Sequence, residues 1–279
     1  MHSPSLKTRG RRFVLRTVFL VPRPIPDCNH GGADYSGHVR VSVIVPAFNE
    51  ELLLADSLEA IKQASSAFTL HGWEVELVVC DNNSTDGTAE IARTAGALVV
   101  FEPVNQIARA RNAGAASATG DWLVFVDADS RPCAGLFADV AEQIASRRTL
   151  AGGSTLRMDE TSFNASIASG IWNRISRWTN LMAGSFIFVE AEAFHRVGGF
   201  GEEWFAGEEL DLSRRLMKLA RETDRRVVIL YRHPLLTSAR KMRLYTPWEH
   251  LKVLARTIFS GGGSLRDRES NHLWYDGRR

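Results

Sequence analysis

Cysteine is scarce: Cys28, Cys80 and Cys133 are the only three in 279 residues, widely spaced and with no C-x-x-C among them. An odd, scattered set supports neither a disulfide framework nor a structural zinc, so a reducing cytoplasm is the expected setting. Long apolar runs are also missing. Phe13–Val21 comes nearest, but it is too short to span a bilayer and Arg16 interrupts it. The same arginine, with no clean small-residue cleavage site behind it, makes this stretch a poor signal peptide. The formal net charge is only +2. Nucleic acid calls for a basic stripe, which the core of this sequence lacks, and it is excluded as a partner. No G-x-G-x-x-G follows the first predicted strand, which disfavours a dinucleotide-dependent dehydrogenase. No internal repeat of solenoid period is present.

What is there is a core-forming composition, 44% hydrophobic and 24% charged, enough for one large α/β domain. The small net charge is unevenly spread. Lys7, Arg9, Arg11, Arg12, Arg16 and Arg23 all precede the first acid, Asp27, among Pro22, Pro24 and Pro26. Residues 1–40 therefore read as a basic, loosely ordered arm, either a solvated tail or a segment in peripheral contact with anionic lipid headgroups.

From residue 41 the pattern changes. Val41–Val45 is a β-branched run closed by Pro46, and reads as a buried strand. A helix over Glu50–Phe68, a strand over Trp73–Cys80, a helix capped by Ser84 or Thr85, a strand over Ala97–Phe101, an Ala-rich helix over Asn105–Thr119 and a strand over Trp122–Val126 follow. This alternation predicts βαβ units and a parallel sheet, with ligands outside the carboxyl ends of its strands. The loops after Val45, Cys80 and Val126 are rich in Asp and Asn, which points to the same edge. Beyond them the expected elements are a strand over Thr149–Arg157, a helix over Phe163–Trp178, a strand over Ser185–Val189, a Gly-rich turn at Val197–Gly201, a helix over Glu208–Leu219, a strand over Val227–Tyr231, and an amphipathic helix over Pro247–Phe259.

Asp127-Ala128-Asp129 closes the fourth strand. Two carboxylates one residue apart at a strand end can converge on one hard cation, Mn²⁺ or Mg²⁺, and leave positions open for phosphate oxygens. The competing reading is a solvated turn with Asp129 as a helix cap. Asp81–Thr88 carries Asp81, an acceptor for a base N–H, beside residues that equally suit a turn and a cap. Pro46–Glu50 offers backbone groups to a nucleobase, although Glu50 also suits a helix start. Arg109, Arg111 and Asn112 lie on the Ala-rich helix, where an arginine suits a diphosphate or is merely exposed. Glu208, Glu209 and Asp211 exceed what helix capping needs, and their repulsion should raise one carboxyl into the range of a general base. His233 is a candidate further metal ligand, and Arg240 or Lys241 a candidate phosphate contact.

In order, VSVIVPAFNE (41–50), ELVVCDNNSTDGTAEIA (76–92), ARARNAGAASATGDWLVFVDADS (108–130) and GGFGEEWFAGEELDLSRRL (198–216) resemble glycosyltransferase family 2, whose members have the GT-A fold. The resemblance implies inverting transfer from a nucleoside-diphosphate sugar, a UDP-sugar foremost, with Mn²⁺ or Mg²⁺. It implies that Pro46, Ala47, Glu50 and Asp81 hold the nucleoside, with Asn49, Asn83, Arg109 and Ala128 in the same set. Asp127 would touch ribose or metal, and Asp129 the metal. The base, an Asp of a Glu-Asp pair in the family, falls on Glu209, with Glu208 and Asp211 as substitutes. Residues 41–240 would then be the GT-A domain, split at 130 into nucleotide and acceptor halves, and 241–279 a helix and tail. A glycan, a lipid or a small molecule remains open as acceptor. A sugar-phosphate nucleotidyltransferase and a catalytically degenerate nucleotide-sugar-binding protein are the alternatives.

Overall fold

The computed structural model describes residues 39–159 and 163–240, the side chains of 163–168 excepted. The predicted arm, except Val39 and Arg40, lies outside the described residues, as do Lys241, the Pro247–Phe259 helix and the tail. Val39 is fully buried and Arg40 pairs with Glu74 at 2.5 Å, so these two belong to the fold.

The chain runs β1 (Arg40–Ala47), α1 (Leu54–Thr69), β2 (Glu74–Asp81), α2 (Thr88–Thr94), β3 (Leu98–Phe101), α3 (Ile107–Ser117), β4 (Trp122–Val126), β5 (Ser130–Arg131), α4 (Ala134–Ala145), β6 (Thr149–Met158), α5 (Phe163–Thr179), β7 (Phe186–Glu190), α6 (Ala191–Arg196), α7 (Glu208–Glu222) and β8 (Arg226–Thr237). One sheet takes the order β3-β2-β1-β4-β7-β6-β8-β5. β1 to β4 are parallel neighbours, as the βαβ pattern predicts. β7 runs antiparallel to both β4 and β6 and joins the β1–β4 half of the sheet to the rest. The expected GT-A type, mostly parallel sheet flanked by helices is thus present, with β7 and β5 as its antiparallel members.

Both faces of the sheet are covered, so its central strands are apolar throughout: β4 is WLVFV, buried at every position. On one face α1 and α4 close over Val43, Val45, Val124 and Phe186. On the other, α3, α6 and α7 cover Ile44, Phe125, Ile187 and Val189. α3 lies very close to β1, because a Cβ on Gly114 would stand 2.5 Å from the Ile44 Cγ2. Cys80 is buried in β2. Burial, then Glu102 and Asp81, pushes its thiol up to about 12, so it is packing rather than a nucleophile.

Candidate active site

Register builds the site first. Pro46 pairs with Cys80 and Ala47 with Asp81, so β1 and β2 end together. Continuing the β1–β4 pairing beyond Ile44 and Phe125 brings Pro46 level with Asp127. The three polar loops of the β1–β4 half thus leave one edge of the sheet.

Side chains then tie the first two loops together. Asn49, in the left-handed region at φ 51°, accepts from the Thr85 N–H at 2.8 Å, and its own N–H donates to Ser84 Oγ. The Glu50 N–H donates to Thr88 Oγ1 and the Glu51 N–H to Asp86. Asp81 Oδ1 accepts from the Ser84 N–H at 3.0 Å. Asn83, at φ 65°, turns the chain between them. The helix cap is not Ser84 or Thr85: α2 starts at Thr88, whose N–H and hydroxyl both donate to Asp86. The Glu50 carboxylate, buried, accepts from Arg240 Nη2 at 2.5 Å, which brings the segment after β8 to the same edge.

The second cluster lies on the other side of Asp127. Arg111 is on the stripe Ala108–Arg111–Ala115 that α3 turns toward the sheet, and its side chain is only 2% exposed. Its Nη1 donates to Glu208 Oε1 at 2.7 Å, and its Nη2 to Asp127 Oδ1 at 2.9 Å and to the Gly184 carbonyl at 2.8 Å. Burial alone would lower the guanidinium pKa, but Asp127 and then Glu208 outweigh it and raise it. Gly207 adopts φ +76° and opens α7, so Glu208 and Glu209 stand in its first turn, facing Arg111. Gly184 permits the crossing, since a Cβ there would meet Arg111 Nη2 at 3.2 Å and Glu209 Cδ at 3.5 Å.

These residues line a cleft of about 200 Å³ together with Ser185 and Phe205. Glu209 is in its wall. Desolvation, then the charge of Glu208, with Asp127 adding, pushes its carboxyl up to about 8 against the opposing pull of Arg111. A carboxyl raised in this way is a far better proton acceptor than an exposed one once deprotonated.

The other sequence candidates are distributed as follows. Asp211 gives its carboxylate to Arg215 at 2.7 Å and does not line the cleft. Arg109 pairs with Glu102 and Glu202, so the guanidinium against Asp127 is that of Arg111. Ala128 is buried. Asp129, 8% exposed, lines a separate small gap with Ser57, Arg131, Asp159 and Ser238. His233 is not brought to Asp127 and Asp129: its Nδ1 lies 3.1 Å from Asp139 Oδ2, and its ring packs under Gly135 of α4. Among the described residues no three His, Cys, Asp or Glu side chains form a metal-holding group. Mg²⁺ or Mn²⁺ commonly takes only one or two protein carboxylates and fills the rest of its shell with phosphate and water, so a third protein ligand is not required for either acid to serve.

Sequence reasoning missed the part played by Gly184 and Ser185, and did not separate Arg111 from Arg109. Spacing alone could not make the second distinction, because Arg109 also stands four residues before an alanine, Ala113; it is the burial of Ala108, Arg111 and Ala115 against the sheet that separates them.

Comparison with known proteins matches this frame. The glycosyl transferase family 2 profile fits residues 42–194. The uncharacterized glycosyltransferase Rv0539 of Mycobacterium tuberculosis is 40% identical over 95 residues, 34% of this chain, and the match spans 39% of that protein's length. In structure, the mannosyltransferase PcManGT from Pyrobaculum calidifontis, solved with GDP-Man and Mn²⁺, superposes at TM-score 0.62 with 21% identity, over 86% of this chain and 66% of that one. Glucosyl-3-phosphoglycerate synthase from Mycobacterium tuberculosis, solved with Mn²⁺, UDP and glucosyl-3-phosphoglycerate, superposes at 0.53 with 20% identity, over 82% and 80%. These two likenesses carry the fold, a GT-A type mixed sheet flanked by helices. With the profile covering over half of the chain, the protein belongs to glycosyl transferase family 2.

Proposed function

We propose that this chain transfers a sugar from a nucleoside-diphosphate sugar, a UDP-sugar foremost, to an acceptor hydroxyl with inversion at the anomeric carbon. The observation that carries the reading is the single cleft in which Glu209, Glu208, Arg111 and Asp127 meet at the carboxyl edge of the sheet.

The loops after β1 and β2, with Pro46, Ala47, Asn49, Glu50, Asp81 and Asn83, hold the nucleoside. Their cross-links through Asn49, Ser84 and Thr88 keep them rigid before any donor arrives. Asp127 and Asp129 would hold the divalent cation, which when bound offsets the charge on the departing diphosphate. The structural neighbours solved with GDP-Man or UDP and Mn²⁺ support that donor class and cation. Glu209 takes the proton of the acceptor hydroxyl. The freed oxygen attacks the anomeric carbon from the face opposite the diphosphate as the sugar–phosphate bond breaks, which inverts the configuration. Arg111 keeps Glu208 paired, so Glu209 is the carboxylate of the two left to accept the proton.

The test is nucleoside diphosphate release from a panel of nucleotide sugars with Mn²⁺ and a mixed panel of acceptors. Release that needs an acceptor, vanishes in Asp129→Asn and falls in Glu209→Gln supports the proposal. Pyrophosphate-dependent nucleotide exchange would replace it with a nucleotidyltransferase, and binding without turnover with a degenerate site.

A further inference from the structure

α5 is built inside out. Its inward side is polar: Asn173 Oδ1 accepts from the Leu156 N–H at 2.8 Å, Asn173 Nδ2 donates to the Leu156 carbonyl at 2.9 Å, and Ser176 Oγ donates to the Leu181 carbonyl at 2.6 Å. These bonds fix which way the helix faces. The outward side is apolar: Ile171, Ile175 and Trp178, at i, i+4 and i+7, are 57%, 44% and 89% exposed. Tyr231 of β8 extends the patch, also exposed, and the Arg177 guanidinium stacks on its ring at 4.3 Å. Three of the nine large exposed apolar or aromatic side chains among the described residues thus stand in one row, with Tyr231 beside it across Arg177. Isolated exposed apolar residues are ordinary, but a fixed row of them marks a contact surface.

Charge narrows the partner. α5, FNASIASGIWNRISRWT, has no acid and two arginines, Arg174 and Arg177, both exposed beside the apolar row. Isoleucine, tryptophan and tyrosine flanked by arginine suit the boundary between headgroups and acyl chains, where indole and phenol rings settle and cations meet lipid phosphate. A symmetric dimer through this face would set Arg174 and Arg177 near their own copies. A handful of side chains also falls well below the roughly 1,200 Å² that stable protein interfaces bury.

We infer that the outer face of α5, Ile171, Ile175 and Trp178 with Arg174 and Arg177, docks on an anionic lipid surface. The docking does not depend on the transfer reaction. After Asn180 the chain goes directly to Gly184 and Ser185 in the wall of the cleft. Only Leu181, Met182 and Ala183 separate Asn180 from that wall.

The test is cosedimentation of the full chain with vesicles of phosphatidylcholine alone and of phosphatidylcholine with about one-third phosphatidylglycerol. The expected result is binding to the anionic vesicles only, weakened by salt, with a blue shift of tryptophan emission. Ile175→Ser with Trp178→Ser should lower binding at least roughly tenfold. Arg174→Gln with Arg177→Gln should remove most of the preference for the anionic lipid, and Trp178→Phe should abolish the blue shift. Thermal melting checks that each variant is folded. No binding by the parent, binding unchanged in the folded α5 variants, a blue shift that survives in Trp178→Phe, or a lipid-independent dimer that the variants dissociate would each overturn the inference.

Discussion

Arg111 Nη1 and Glu208 Oε1 are 2.7 Å apart although 97 residues separate them in the chain, and both side chains are almost fully buried. The same guanidinium holds Asp127 and the Gly184 carbonyl, so one residue joins α3, the end of β4, the β7 approach and the start of α7. Replacing it by methionine strands two carboxylates, one of them deeply buried. Breaking such a pair costs about 3–5 kcal/mol. Urea denaturation should show Arg111→Met destabilised by that order. Arg111→Lys should rescue little, because one ammonium cannot reproduce a fork that reaches three acceptors.

The proposed role of Glu209 as base carries a pH expectation. The base must be deprotonated, so kcat/KM should rise with pH and level off above about 8, where the carboxyl titrates. Glu209→Gln should lower kcat by a factor of about 10²–10⁴ and flatten that limb of the profile. Stability moves the other way. A carboxyl whose folded pKa lies above its unfolded value favours folding at low pH, and that contribution disappears as pH rises from near 4.5 through about 8. Glu209→Gln should therefore gain stability relative to the parent between pH 5 and pH 9, read as the difference in melting temperature at the two ends.

Metal dependence should separate Asp129 from the fold. Chelation should abolish nucleotide release, and Mn²⁺ should restore it in the parent but not in Asp129→Asn. The melting temperature of Asp129→Asn should stay close to that of the parent. A chelated parent with full activity would remove the cation from the proposal.

Gly114 and Gly170 form a matched pair. Alanine is favoured over glycine in a helix by roughly 1 kcal/mol. At Gly170 a Cβ meets nothing within 4 Å, so Gly170→Ala should be stabilising by up to that amount. At Gly114 it would meet Ile44 Cγ2 at 2.5 Å, and overpacking costs about 1–3 kcal/mol. Gly114→Ala should thus come out neutral to destabilised despite the better propensity. Chemical denaturation of the two variants side by side checks both signs.

Most of the β1–β4 half was legible because its central strands are buried on both faces and read as nearly unbroken apolar runs: Val41–Val45, broken only by Ser42, and Trp122–Val126 need no tertiary information. α1 starts at Leu54, four residues later than its apolar spacing suggests, although the Glu50 carbonyl already accepts from the Leu53 and Leu54 N–H groups in the turn that leads into it. α4 was legible in principle, with Leu136, Phe137, Val140, Ala141 and Ile144 on one side, but no capping side chain marks its start. β5 was not legible, since a two-residue strand has no periodicity and exists only because Ser130 and Arg131 meet Thr237 and Leu236. β8 extends past Tyr231 to Thr237 for the same reason, its far end paired with β6.

The sequence by itself determined the alternating strands and helices, the acids at the strand ends and the family. Those are local matters: side-chain period, turn chemistry and motif order are written in neighbouring residues. Only the tertiary structure decided that Arg111 rather than Arg109 clamps the site, that Glu209 and not Asp211 faces the cleft, that His233 belongs to Asp139, and that α5 turns its apolar side outward. Each of these depends on what a residue meets across tens of positions of chain, and burial, charge pairing and the pKa of a carboxyl are set by that encounter, not by the residue's neighbours in sequence.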